Sequence, residues 1–111
     1  MSLKNLGTVI EWIRNNLDPE INIQKIDLLI KVSQNEGIGQ QDLGKLSNLA
    51  SGSVSRHLMK LGTYYDRKAE REMGLGLIIQ TPNPMNRRQM SVYMSTKGKQ
   101  TMQILEGILD A

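Results

Sequence analysis

The 111-residue chain has no cysteine, no phenylalanine, one tryptophan and one histidine. Without cysteine there is no disulfide framework and no thiolate metal site. A single histidine also removes the usual zinc and nucleophile–base constellations. The absence of cysteine fits a reducing compartment, and the expected location is cytoplasmic. No long apolar run is present: Ile26–Val32 is interrupted by Asp27 and Lys31, so no segment is expected to span a bilayer. The opening MSLKNLGTVIEW lacks the apolar core and small-residue cleavage site of a signal peptide. No pair of carboxylates stands out. GIGQQD and GLGLII are not phosphate-binding fingerprints, because neither leads from a convincing strand into a helix of a βαβ unit. Catalysis, a metal and a cofactor are therefore not expected. The length suits one domain, residues 1–111.

Acidic residues are missing from two long stretches. Residues 43–65 carry Lys45, Arg56 and Lys60 and no acid, and residues 73–105 carry Arg87, Arg88, Lys97 and Lys99 and no acid. The first 42 residues carry six acids against four bases, so the net charge of +3 conceals an uneven distribution. Either the basic stretches form a surface that meets a polyanion, or their Lys and Arg merely solvate the faces they occupy.

Apolar periodicity gives the elements. Leu6, Val9, Ile10, Ile13 and Leu17 recur at helical spacing, so a first helix is predicted over about residues 3–16, ended by Asp18-Pro19. Ile23, Ile26, Leu29 and Ile30 predict a second over about 22–35, stopped by Glu36-Gly37. Ile38 lies in a very short strand. A third helix follows over 40–47, with Leu43 and Leu46 inward. A fourth starts near Ser51, capped by it or its neighbour, and buries Val54, Leu58 and Leu61 before Gly62 ends it. That leaves Ser53, Ser55, Arg56, Met59 and Lys60 facing outward. The insert at about 62–76 opens with Thr63-Tyr64-Tyr65-Asp66, a pattern that starts helices, so a short helix to Met73 is expected, with Lys68 and Glu72 one turn apart. Leu77–Thr81 reads as a strand, Pro82-Asn83-Pro84 as a loop, and Met90, Val92 and Met94 as the buried face of a return strand. Ser95 or Thr96 caps a last helix over about 96–109. The layout is mainly α with one small β-hairpin (α+β): a helix-turn-helix over about 38–61, a hairpin wing over about 77–94, and terminal helices on either side.

IGQQDLGKLSNLASGSVSRHL (Ile38–Leu58) resembles the helix-turn-helix of bacterial transcription regulators without a gap, with Gly44 where two helices must approach closely. NRRQMSVYMSTKG (Asn86–Gly98) is similar to the wing, return strand and last-helix start of the MarR family of winged-helix regulators, with Asn86 where that family usually has an acid. The two stretches span residues 38–98, just over half of the chain, and imply a sequence-specific double-stranded DNA-binding regulator. The resemblance implies no particular small-molecule effector. A homodimer held by the terminal helices is expected from the residues themselves: Met102, Leu105 and Leu109 with Ile104 and Ile108 on the last helix, and Leu6, Ile10, Ile13 and Leu17 on the first, form apolar stripes wider than one small core needs, unless both helices simply pack on each other within one subunit.

DNA recognition needs groups that fix register on phosphates and side chains that reach base edges. Ser51, Ser53 and Ser55 suit close approach at the start of the recognition helix, although Ser51 can equally serve as its cap. Arg56 suits a bidentate guanine contact and Lys60 a phosphate; Gln40 and Gln41 suit the DNA backbone. Arg87 and Arg88 on the wing suit the minor groove or the phosphates beside it. His57 is read as structural or solvated, and Tyr64 and Tyr65 as packing residues. Two rivals remain open: a plasmid or phage replication or partition factor on the same fold, and a winged helix used for protein–protein contact.

Overall fold

The computed structural model describes Ser2–Asn86 and Arg88–Ala111. Helix α1 (Leu3–Asn16) begins at Ser2, whose hydroxyl accepts the Asn5 N–H at 3.1 Å, and α2 (Ile23–Gln34) begins at Asn22, whose side chain accepts the Lys25 N–H at 2.9 Å. Such caps satisfy backbone donors that a helix start leaves unpaired. Then come β1 (Ile38–Gly39), α3 (Gln40–Ser47) and α4 (Ser51–Leu61). Asn48 takes a left-handed conformation (φ 54°) to turn the chain between α3 and α4. At Gly44 an added Cβ would lie 3.3 Å from the Leu49 carbonyl and 3.4 Å from the Val54 side chain, a close approach with little spare room where α3 turns into α4.

Next are β2 (Tyr64–Asp66), β3 (Arg71–Met73), β4 (Ile78–Pro82), β5 (Met90–Met94) and α5 (Thr96–Leu109). Strands β1, β5 and β4 form an antiparallel sheet in that order, with Ile38 opposite Val92 and Ile78 opposite Met94. Two apolar clusters hold the fold. Leu28, Leu29 and Val32 of α2 meet Leu43 of α3, Val54, Leu58 and Leu61 of α4, and Leu77, Ile78, Val92 and Met94 at the sheet. The second joins α1 to α5 through Val9, Ile13 and Leu105. Leu17 and Met102 touch both clusters.

Several expectations need correction. Residues 63–73 do not form a helix: β2 and β3 pair only with each other as a hairpin, Tyr64 opposite Met73 and Asp66 opposite Arg71. A helix there would have no apolar stripe to bury, and isolated short helices are marginal. Tyrosines favour strands, the Asp66 carboxylate accepts the Lys68 and Ala69 N–H groups in the turn, and Glu70 completes it at φ 54°. Lys68 thus lies in the turn and Glu72 opposite Tyr65, so they do not face each other at helical spacing. Leu46 is not inward but 51% exposed. Pro82 ends β4 opposite Met90 instead of starting the loop; β4 is an edge strand, where a missing N–H costs little. Leu77 precedes that strand, and Ser91 is buried together with Val92 on the central strand. The start of α4 is capped by neither Ser51 nor another side chain; Ala50 occupies the cap position.

Candidate nucleic-acid interface

Burial of Val54, Leu58 and Leu61 fixes the roll of α4, and the same roll exposes Ser51, Ser55, Arg56, Met59 and Lys60, with Ser53 half-buried. Because no side chain caps α4, the N–H groups of its first turn remain donors at the positive end of the helix dipole. Arg56 runs back along the helix toward that end. Its Nη2 lies 3.4 Å from Ser53 Oγ, and its Nη1 crosses Gly52, where an added Cβ would lie 3.6 Å away. Side chains on helices lean toward the N-terminus, and Gly52 leaves the guanidinium room to do so.

Two grooves flank α4. One, between the starts of α3 and α4, is lined by Gln40, Gln41, Lys45, Asn48 and Ser51. It brings together three residues expected from sequence and adds Lys45 and Asn48, which motif reasoning missed. Lys45 stands in the acid-free stretch that could have pointed to it; Asn48 gave only the signal of a turn residue. The other groove, between α4 and β4, is lined by Ser55, Arg56, Met59, Thr63, Ile79 and Gln80. Lys60 stands apart near the far end of α4, about 13 Å from Ser51 along the axis.

That far end is closed by a strap, residues 75–77. The Leu75, Gly76 and Leu77 N–H groups donate to the carbonyls of Lys60, Gly62 and Leu61 at 3.0, 2.9 and 2.8 Å. Gly74 makes this possible: at φ 104° it packs so tightly that a Cβ would meet the Gly62 carbonyl at 2.1 Å. Charge-bearing Lys97 Nζ donates to the Leu75 carbonyl at 2.8 Å, so it serves the strap.

The wing turn is organised by asparagines. Asn83 Oδ1 accepts the N–H groups of Met85 (2.9 Å) and Asn86 (3.2 Å), and Asn86 Oδ1 accepts the Arg88 N–H at 3.1 Å. Asn86 therefore braces the backbone of Arg88. Arg88 is exposed, and among the described residues the ion pair present is Lys31–Asp27, on α2. Arg87, the other expected wing contact, lies outside the described residues.

His57 Nε2 is hydrogen-bonded to Gln24 Oε1 at 2.8 Å, tying α4 to α2. Burial, then the positive charges of Lys25, Arg56 and Lys60, lower its pKa from the ordinary imidazole value. Among the described residues no group of three or more His, Cys, Asp or Glu side chains could hold a metal, and no helix is long and apolar enough to cross a membrane.

No protein-family model and no curated protein sequence matches the chain. Solved structures do. A MarR transcriptional regulator from Methanosarcina mazei Go1 superposes with a TM-score of 0.65 at 19% identity, over 96% of this chain and 70% of that one. The MepR–DNA complex of S. aureus gives 0.66 at 18%, over 96% and 74%. RV1404 from Mycobacterium tuberculosis gives 0.70 at 19%, over 95% and 64%. The fold is that of the MarR regulators. Within this MarR-like winged helix, the β2–β3 hairpin lies between α4 and the β4–β5 hairpin.

Proposed function

We propose that this chain is a sequence-specific double-stranded DNA-binding transcription regulator. The observation that carries the reading is the state of α4: an uncapped first turn with an arginine folded toward it, at the start of the helix that this fold presents to a groove. Ser51, Ser53 and Ser55 approach base edges and phosphates there, and Arg56 makes the bidentate contact. Gln40 and Gln41 donate to the backbone, Lys60 meets a phosphate, and Arg87 and Arg88 reach the minor groove or its flanking phosphates. MepR, which has the same fold, was solved bound to DNA.

The chain acts as a homodimer through its terminal helices. Leu3 (84% exposed), Leu6 (39%) and Ile10 (47%) of α1 and Ile104 (44%) of α5 are apolar and uncovered in one subunit, and contiguous exposed apolar area marks interfaces. Leu105 is not part of that surface, since it is buried against Val9 and Ile13 within the subunit. Two-fold pairing sets recognition helices about one DNA turn apart, roughly 34 Å. Selecting bound duplexes from a random pool tests both statements. A palindromic motif is the expected result; recovery of unenriched sequence would refute specificity, and a single unrepeated half-site would refute the two-fold arrangement.

A further inference from the structure

We propose that Gln89 is a positioning residue that fixes the wing against the helix-turn-helix, and that position 39 is glycine to make room for it. The geometry stands by itself; the consequence for duplex affinity rests on the DNA-binding reading. Gln89 closes the wing turn, its N–H donating to the Asn86 carbonyl at 3.2 Å and its carbonyl accepting the Asn83 N–H at 3.3 Å. Its side chain then leaves the wing and crosses Gly39, and Oε1 accepts the backbone N–H of Gln41 at 3.2 Å.

Gly39 is the cap position of α3, at φ −68° and ψ 146°, a conformation open to any L-residue. Backbone shape therefore does not demand glycine there; a Cβ would instead displace the end of the Gln89 side chain. A Cβ at position 39 would fall 2.0 Å from Gln89 Oε1 and 2.3 Å from its Cδ. With no side chain of its own, Gly39 cannot cap α3. Gln89 supplies the acceptor that a serine or aspartate would otherwise bring.

The tether matters because of where the sheet stops. β1 pairs with β5 only at Val92 and Ser91, so from Met90 outward the wing is a two-stranded ribbon. Such ribbons are marginal on their own. Among the described residues, the Gln89–Gln41 bond is the outermost hydrogen bond from the wing to the helices, and Arg88 is the next residue along the chain.

The test compares Gly39→Ala, Gln89→Leu and Gln89→Glu with the parent chain. Nitrogen-15 relaxation of the free protein should find wing residues 83, 85, 86 and 88 ordered, with order parameters of about 0.85, falling below about 0.6 in Gly39→Ala and Gln89→Leu. The Gln41 amide should exchange faster in both. Gln89→Glu keeps the acceptor and should preserve wing order and Gln41 protection, which a loss of packing alone would not predict. Duplex affinity should drop about three- to tenfold in Gly39→Ala and Gln89→Leu, with no further loss when they are combined. Unchanged wing order and Gln41 exchange in Gly39→Ala would overturn the tether. Disordered wings with unchanged duplex affinity would overturn the positioning role. If the wing loosens as stated but the parent chain binds no duplex, the tether stands and the DNA-binding reading falls instead.

Discussion

The Ser95 hydroxyl donates to the Gly76 carbonyl at 2.6 Å and accepts the Gly98 N–H at 3.0 Å. One side chain thus caps α5 and grips the strap that closes the end of α4. Gly98 reinforces the junction, because a Cβ there would meet the Leu77 carbonyl at 2.0 Å. Ser95→Ala removes a cap and leaves a half-buried carbonyl short of a donor, so it should cost about 1–3 kcal/mol. Urea unfolding measures this directly, and an unmoved midpoint would show that the junction does not need the hydroxyl.

The β2–β3 hairpin should be dispensable for folding. Its strands pair only with each other, and its two ends meet: a Cβ on Gly74 would lie 3.2 Å from the Thr63 Cα. Replacing residues 64–73 with a short Gly-Ser link should leave the helical circular dichroism intact and change stability by less than about 1 kcal/mol. Loss of cooperative unfolding would show that half-buried Tyr64 and Met73 contribute to the core.

The contrast between this hairpin and the rest shows which features the sequence made legible. Val54, Leu58 and Leu61 declare a buried stripe by spacing alone, and Gly44 marks a close approach at the expected place. The hairpin depends on a turn in which Glu70, with no special preference, takes a positive φ, while Thr63 and Asp66 imitate a helix start. Leu46 fits helical spacing as well as Leu43 does, yet only the three-dimensional position of α2 decides which is covered. The Gln89–Gln41 bond links residues distant in sequence through a side chain of no distinctive pattern, so local reasoning had no access to it. The uncapped α4 was likewise hidden, since Ser51 lies one position beyond the cap.

Arg56→Ala should weaken binding to the selected duplex by about 1–3 kcal/mol and relax preference at one base position. Repeating the selection with the variant checks it. The same motif recovered at the same affinity would remove Arg56 from the base contacts.

His57 gives two pH dependences of opposite direction. Its folded pKa is lowered, first by burial and then by Lys25, Arg56 and Lys60, so the folded chain binds fewer protons than the unfolded one. Its contribution to stability is present above the unfolded value, about 6.5, and is lost as pH falls through the lowered folded value. Phosphates drawn to the same cations would favour the imidazolium, so duplex binding should take up a proton and tighten as pH falls from about 7.5 to 6. His57→Gln should flatten both trends. Affinity that stays constant across this range in the parent chain would place His57 away from the bound phosphates.

The most direct test is the salt dependence of affinity for the selected duplex, measured for the parent chain and Arg88→Ala. Neutralised phosphates release counterions, so log affinity should fall linearly with log salt, and removing one phosphate contact should lower the slope by about one. A steep slope is expected for the parent chain, and a slope about one unit shallower for Arg88→Ala. Failure of the parent chain to bind duplex even at low salt would contradict the DNA-binding reading.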